Sequence, residues 1–294
     1  MSNFNKQLNK IAKDSNFYLR GFFLRQRKKS FLVKPMKYGL FSGGKRFRTA
    51  IIVNTGKIFN TDYKKSIIVG AAVECMHAYS LIHDDLPSMD DDNLRRGKLS
   101  THKKFNEFTA ILAGNSLLAL SFEILSSKEL KITEKKKIEL IKALSEYSGY
   151  SGLAGGQYSD LTFENKKVSK KNILNMQRNK TGKLFAFCCE SIAIISGLKI
   201  KERKKLKEIG LNIGLLFQIT DDLIDFKGKR KIVGKPTRRD KEKGKATLVN
   251  LIGYNKSLKF AKFLKEKIKK QIQKYGSKTS DLLFSLEFIL NRKF

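Results

Sequence analysis

The sequence predicts an all-α protein, a helical bundle, over a length of 294 residues that allows one large domain or two smaller ones. Three observations carry that expectation. Proline occurs only 3 times in 294 residues, and strand-and-turn punctuation is sparse. One long segment after another shows apolar residues at helical spacing, with no alternating strand pattern between them. The hydrophobic fraction is 41%, near the globular norm, so the chain can bury a sizeable core and is not disordered as a whole.

Lys64–His83 is apolar nearly all round, which suits a helix in the middle of a bundle. Thr109–Leu125, Lys135–Tyr150, Lys170–Gly197, Ile200–Phe226, Tyr254–Tyr275 and Ser280–Asn291 also read as helices. Loops are marked by Ser42–Gly44, by Gly152–Gly156 and by Lys227–Lys245. The longest apolar stretches, Ile111–Leu125 and Leu184–Leu198, are broken by Asn115 and Glu123 and by Glu190. Both read as buried helices too short to span a bilayer, so no integral membrane segment is expected. The N-terminal stretch lacks the uninterrupted apolar core of a signal peptide. Cys75, Cys188 and Cys189 fit neither a disulfide framework nor a zinc pattern. Buried thiols in a reducing compartment, hence a cytoplasmic protein, are expected.

Lys and Arg number 61 against 27 Asp and Glu, a formal charge of +34. Such an excess favours polyanions, but the charges are scattered along the helices and mostly decorate solvated faces. Against that background two acidic clusters stand out. In "SLIHDDLPSMDDDNLRRGK", Asp84, Asp85 and Asp90 follow an apolar helix. Leu86 precedes Pro87, so the helix should end near the first two aspartates and Asp90 should return through a turn. In "FQITDDLID", Asp221 and Asp225 are four apart and share a helix face, with Gln218 on the same stripe. Packed like charges repel unless a cation neutralises them. Two such clusters on apolar helices suit Mg²⁺, held by a few carboxylates while phosphate oxygens complete its shell. The implied ligand is a diphosphate lying between two acidic walls. Cations stand beside the clusters: Arg95 and Arg96, "GGKRFR" from Gly43 to Arg48, "KTG" from Lys180, and Lys235 and Lys245. His77, seven residues before Asp84, lies on the same helix face.

These stretches, with "MKYGLFSGGKRFRT", "GLAGGQYSDL", "NKTGKLF" and "GKPTRRDKEKGKAT" in the same order, resemble the trans-prenyltransferases that make short-chain isoprenyl diphosphates, most closely bacterial farnesyl diphosphate synthases. The resemblance runs from about Met36 to the end. It implies one all-helical domain around a deep central cavity, commonly a homodimer. It also implies a Mg²⁺-dependent condensation of isopentenyl diphosphate with dimethylallyl or geranyl diphosphate to farnesyl diphosphate. By position it makes Asp84, Asp85, Asp90, Asp221 and Asp225 metal ligands or their support. Lys45, Arg48, His77 and Arg96 would hold isopentenyl diphosphate, and Arg95, Lys180 and Lys235 the allylic diphosphate. Thr181 and Gln218 would face the cationic carbon. Tyr79 and Ser80, five and four residues before Asp84, would set product length. Thr49, Leu99 and Asn179 depart from the usual residues, leaving the chemistry intact and local loop geometry open.

Geranylgeranyl or geranyl diphosphate synthesis is the alternative within the family, and a subunit that has lost catalysis would not need both intact motifs. A nucleic-acid-binding helical protein would account for the charge but gives the acidic motifs no task, so no nucleic-acid partner is expected.

Overall fold

The structure, a computed structural model, describes residues 2–25, 30–227 and 244–292. Among the described residues the regular structure is helical apart from one pair of two-residue strands, so the all-α expectation holds. The chain groups into two compact units, Met1–Gly56 with Asn60–Ile141, and Lys57–Phe59 with Lys142–Phe294.

In the first unit, α4 (Tyr63–Asp84) packs against α1 (Ser2–Arg25), α2 (Val33–Leu40) and α6 (Glu107–Ser126). Asp62 starts α4 by accepting the Lys65 backbone N–H at 2.9 Å. This satisfies a donor that helix geometry leaves without a partner. Asn106 caps α6 in the same way, through the Thr109 N–H at 2.9 Å. Ile67, Ile68, Val69, Ala71, Ala72, Val73, Cys75 and Met76 of α4 are all buried, as the all-round apolar pattern predicts.

The sequence gives no helix before Lys64, yet α1, α2 and α3 (Phe47–Ile58) form there. Helix α1 is strongly amphipathic: Phe4, Leu8, Ile11, Ser15, Leu19 and Phe22 recur on its buried side. Helix α6 extends beyond the apolar stretch read from the sequence. By length and mean hydropathy alone α4 and α6 both reach what a membrane crossing needs, as core helices of folded proteins also do. Helix α4 buries 78% of its most apolar window inside the protein and is a core helix; α6 buries only 44% and leaves an apolar face outward.

Helix α7 (Glu134–Ser148) begins in the first unit and ends in the second. The second unit is built on α10 (Lys183–Ile195) against α11 (Ile200–Lys227), with α8 (Leu153–Thr162) and α9 (Lys170–Gln177) beside them. Two readings are corrected here. Gly152–Gly156 is not a loop, since α8 begins at Leu153. Lys170–Gly197 is not one regular helix, since a π-helical turn over Arg178–Gly182 separates α9 from α10. Glu190, the polar break in α10, is buried and answered by the Tyr147 hydroxyl and by Arg203 Nε at 2.6 Å. Among the described residues three further α-helices follow: α12 (Leu248–Ile252), α13 (Tyr254–Gln273), which packs on α11, and α14 (Ser280–Asn291).

Helices α10 and α11 touch through glycine. A Cβ on Gly210 would sit 2.4 Å from the Phe185 carbonyl oxygen. In an open helix Gly→Ala gains about 1 kcal/mol. Here the backbone contact reverses the sign, and Gly210→Ala is expected to cost about 1–3 kcal/mol by overpacking. A thermal midpoint equal to or above that of the parent chain would refute the close approach.

Candidate active site

In the first unit, α4 ends as the proline predicts. The Asp85 N–H still reaches the Leu81 carbonyl at 3.2 Å, and the chain then folds back. The Asp90 N–H donates to the Asp84 carbonyl at 2.9 Å and the Asp92 N–H to the Asp85 carbonyl at 3.1 Å. Asp91 takes a left-handed φ of 46° in this turn. Asp84 and Asp90 are half-buried there, at the C-terminal end of a 22-residue helix. The carbonyl dipoles of that end already carry negative charge, so carboxylates added to it call for a cation.

Asp85 turns inward and is buried. It accepts Arg95 Nε at 2.9 and 3.2 Å and is also bonded by Arg95 Nη2, and Asp92 stands 3.8 Å from the same nitrogen. Burial works against the charge of Arg95, but Asp85, Asp84 and Asp92 more than offset it and raise its pKa. Arg95 is thus committed first to Asp85.

The strand pair β1 (Leu94–Arg95) and β2 (Lys98–Leu99) explains how two consecutive arginines diverge. Its turn residues Arg96 and Gly97 have φ of 53° and 75°, the left-handed pair that a tight hairpin requires. Arg95 points back to Asp85 while Arg96 reaches the Gly43 carbonyl through Nη1. Gly44 makes room for it: a Cβ there would lie 2.6 Å from Arg96 Nη1. Loss of hydration around this guanidinium, with Arg46, Arg95 and Arg48 nearby, lowers its pKa to about 10 against the pull of Glu74.

Within "GGKRFR" the middle cation is structural. Arg46 is buried; it donates to the Leu40 carbonyl at 2.6 Å, to Asn16 at 2.9 Å and to Glu74 at 3.4 Å. Glu74 also accepts the Thr49 N–H at 3.3 Å and its hydroxyl at 3.2 Å. Thr49, one of the departures noted above, therefore supplies two donors to the carboxylate that anchors this turn. Lys45, exposed, and Arg48, half-buried, flank the anchor. Burial, with Arg48, Arg96, Arg46 and Arg95 around it, holds the His77 pKa well below the usual histidine value, so its ring is neutral near pH 7. On the same helix Tyr79 packs edge-on against His83, ring centroids 4.9 Å apart. His83 in turn meets the Ile111 carbonyl of α6 at 3.1 Å, in space left by Gly114. Ser80 is buried and bonds back to the His77 carbonyl at 3.0 Å.

In the second unit the acidic motif occupies the last two turns of α11, again a helix C-terminus. Asp221 accepts Arg292 Nη2 at 2.5 Å, and Arg292 also donates to the Phe217 carbonyl at 2.8 Å. Asp225 lies one turn on and is half-buried. Asp222 is buried, and each of its oxygens holds a glutamine: Gln218 at 2.9 Å and Gln177 at 2.7 Å. Gln218 in turn accepts the Thr181 hydroxyl at 2.7 Å. The structure thus joins Thr181 and Gln218 in a chain of hydrogen bonds that ends on Asp222, an aspartate the sequence left without a role. Thr181 belongs to the π turn, a device common at functional sites.

Lys180, in the same turn, donates to Asp160 Oδ2 at 2.6 Å, and Lys245 reaches that oxygen at 3.0 Å. Burial alone would raise the Asp160 pKa, but the two ammonium groups hold it below the ordinary carboxylate value. The approach is close because a Cβ on Gly156 would stand 2.1 Å from the Lys180 nitrogen. Gln157 is buried beside them, and neither of its amide atoms has a hydrogen-bond partner among the described residues, which leaves it open to a ligand or water. Asp160, Gln157 and Glu74 were missed as site residues. The run "GGQYSD" carries the signal for the first two, since Gly156 and Asp160 are four apart on one helix face. Lys235 lies outside the described residues, as does most of the stretch Lys227–Lys245.

The donor set fits magnesium. Each unit presents oxygen-only carboxylates at a helix C-terminus, and in each motif one aspartate is already held by an arginine. Among the described residues no three Asp, Glu, His or Cys side chains form a ready-made cage. That suits an ion which keeps water and phosphate in most of its shell.

Two acid-rich motifs, each attended by cations, suit a ligand that brings phosphate and a divalent cation together. The chain belongs to the polyprenyl synthetase family, whose model matches residues 29–282. It is 38% identical over 233 residues to a farnesyl diphosphate synthase of Geobacillus stearothermophilus, covering 78% of each chain. Among solved structures it is similar to an FPP/GFPP synthase of Zymomonas mobilis, with TM-score 0.87, 38% identity, and 98% and 100% of the two chains covered. A geranyltransferase of Helicobacter pylori, solved with magnesium and isoprenyl diphosphate, matches with TM-score 0.81, 31% identity, and 97% and 96% covered.

Proposed function

We propose that this chain is a short-chain trans-prenyltransferase that condenses isopentenyl diphosphate with dimethylallyl and geranyl diphosphate to give farnesyl diphosphate. The observation that carries the reading is the pair of aspartate motifs at the C-termini of α4 and α11. Asp84, Asp90, Asp221 and Asp225 supply the oxygens for Mg²⁺, with Asp85 supporting through Arg95. Magnesium, when bound, neutralises the allylic diphosphate and draws charge from the breaking carbon–oxygen bond. Arg95 and Lys180, with Lys235, take the remaining diphosphate oxygens. Lys45, Arg48 and Arg96 grasp the diphosphate of isopentenyl diphosphate. His77, kept neutral, adds a hydrogen bond there without a further charge.

The allylic C–O bond breaks with its electron pair leaving on diphosphate. The π bond of isopentenyl diphosphate then forms the new C–C bond, and its C2 proton passes to the released diphosphate. Oxygens of Thr181 and Gln218, fixed by their mutual hydrogen bond, stabilise the transient positive carbon without having to reorganise.

The test is labelled isopentenyl diphosphate with C5, C10 and C15 allylic partners, with magnesium or EDTA, and products sized by chromatography. A C15 product formed only with magnesium is expected; a C20 product as the main species would assign geranylgeranyl synthesis instead. Tyr79, held edge-on by His83, is read as the floor that stops the growing chain. Tyr79→Ala should shift the main product to C20 or longer, and an unchanged product spectrum would remove that role.

The reading includes a homodimer. Phe108, Ile111 and Leu112 of α6 are exposed on one face, with no cation among them. Leu112→Glu is expected to convert dimer to monomer by light scattering. The buried thiols Cys75, Cys188 and Cys189 accord with a cytoplasmic setting.

A further inference from the structure

The outward face of α1 is unlike that of any other described helix of the first unit. Lys6, Lys10, Lys13, Phe17, Arg20 and Leu24 follow one another at steps of three or four residues, so they form one stripe along the helix. All six are exposed, Phe17 at 81% and Leu24 at 79%. The opposite stripe, from Phe4 to Phe22, is buried, so the exposed one is not a misplaced core. Asp14 is the sole acidic residue of α1, and it is occupied by the Tyr63 hydroxyl at 2.6 Å. A soluble helix gains nothing in water from presenting a phenylalanine and a leucine among four cations.

We propose that this face of α1 docks the chain on an anionic lipid bilayer. The lysines and Arg20 meet acidic headgroups, and Phe17 and Leu24 enter the boundary between headgroup and acyl chain. Charge decides between occupants. Clustered Lys and Arg are drawn to the negative surface of an anionic bilayer, and the exposed apolar side chains beside them find a favourable place at its headgroup boundary. A second copy of this chain carries the same positive charge and would be repelled. Leu24 gives a nucleic acid no ring on which to stack a base. The exposed face of α6, apolar without cations, lacks this signature and suits self-association instead. The stripe also gives part of the +34 formal charge a task that the condensation reaction does not.

The test is co-sedimentation of the full chain with vesicles of phosphatidylcholine alone and of phosphatidylcholine with phosphatidylglycerol in equal parts. The chain should pellet with the anionic vesicles and not with the neutral ones. Lys6→Gln, Lys10→Gln and Lys13→Gln should each weaken binding roughly fivefold and flatten its salt dependence. The double variant Phe17→Ser, Leu24→Ser should weaken it on the order of tenfold and leave the salt slope unchanged. None of these residues belongs to the proposed catalytic machinery, so prenyl transfer should be unaltered in every variant, which also shows that each is folded. Failure of the parent chain to pellet with anionic vesicles overturns the proposal. So does retention of full binding by the serine variant, or conversion of that variant from dimer to monomer. Binding to polyuridylate that falls in parallel with the serine substitutions would assign the face to nucleic acid instead.

Discussion

Asp84→Ala and Asp221→Ala are each expected to lower magnesium-dependent release of inorganic diphosphate by on the order of a thousandfold. The size follows from the task. A metal at the leaving oxygen stabilises developing charge by several kcal/mol, and every 1.36 kcal/mol is about tenfold in rate. Asp84 closes α4, so the carbonyl ends of that helix attract cations beyond what the carboxylates alone would do. The neighbouring aspartates provide the control. Asp85 and Asp222 are buried and hold Arg95 and the two glutamines. Their alanine variants should lose thermal stability as well as rate, because buried donors are left without acceptors. Asp84→Ala and Asp221→Ala should instead lose the thermal stabilisation that magnesium with inorganic diphosphate gives the parent chain. Near-normal turnover in either would remove the metal assignment, and so would an undiminished response to magnesium.

How much of this was legible depended on whether a residue's partner lies close along the chain. The apolar length of α4 and its stop at Leu86–Pro87 are local facts, and they placed the first motif correctly. The spacing of Asp221 and Asp225 did the same for α11. What could not be read was which of two adjacent aspartates turns inward. Asp84 and Asp85 are chemically identical until the hairpin at Arg96–Gly97 returns Arg95 to one of them. Likewise three cations in "GGKRFR" look equivalent in sequence. Only the burial of Glu74, on a helix 28 positions away, makes Arg46 the structural one. The misread loop at Gly152–Gly156 has a related cause. Glycine there serves not to break a helix but to let α8 come against the backbone of Lys180. That need appears only when the two segments are packed.

Asp160→Ala is expected to destabilise the chain by ~3–5 kcal/mol and to weaken use of the allylic substrate at the same time. Two ammonium groups converge on a single oxygen of a buried carboxylate, at 2.6 and 3.0 Å. Removing the acceptor leaves two like charges close together without the carboxylate between them, the costly way to break a buried ion pair. Lys245 keeps a second partner, Glu164 at 2.8 Å, so Lys180 loses more of its placement. The pH dependence identifies the interaction. The folded-state pKa of Asp160 is depressed, so its contribution is fully present above the unfolded carboxylate value of about 4 and is lost as pH falls through the lower folded value. The stability difference between parent and Asp160→Asn should therefore be constant near neutral pH and shrink in acid. Kinetics separate structure from function. If Lys180 is aimed at the allylic diphosphate through Asp160, Asp160→Asn should raise KM for geranyl diphosphate several-fold while leaving KM for isopentenyl diphosphate unchanged. Equal changes in both constants would reduce Asp160 to a structural anchor. A stability difference that does not shrink in acid would show that its charge is not what holds the two lysines.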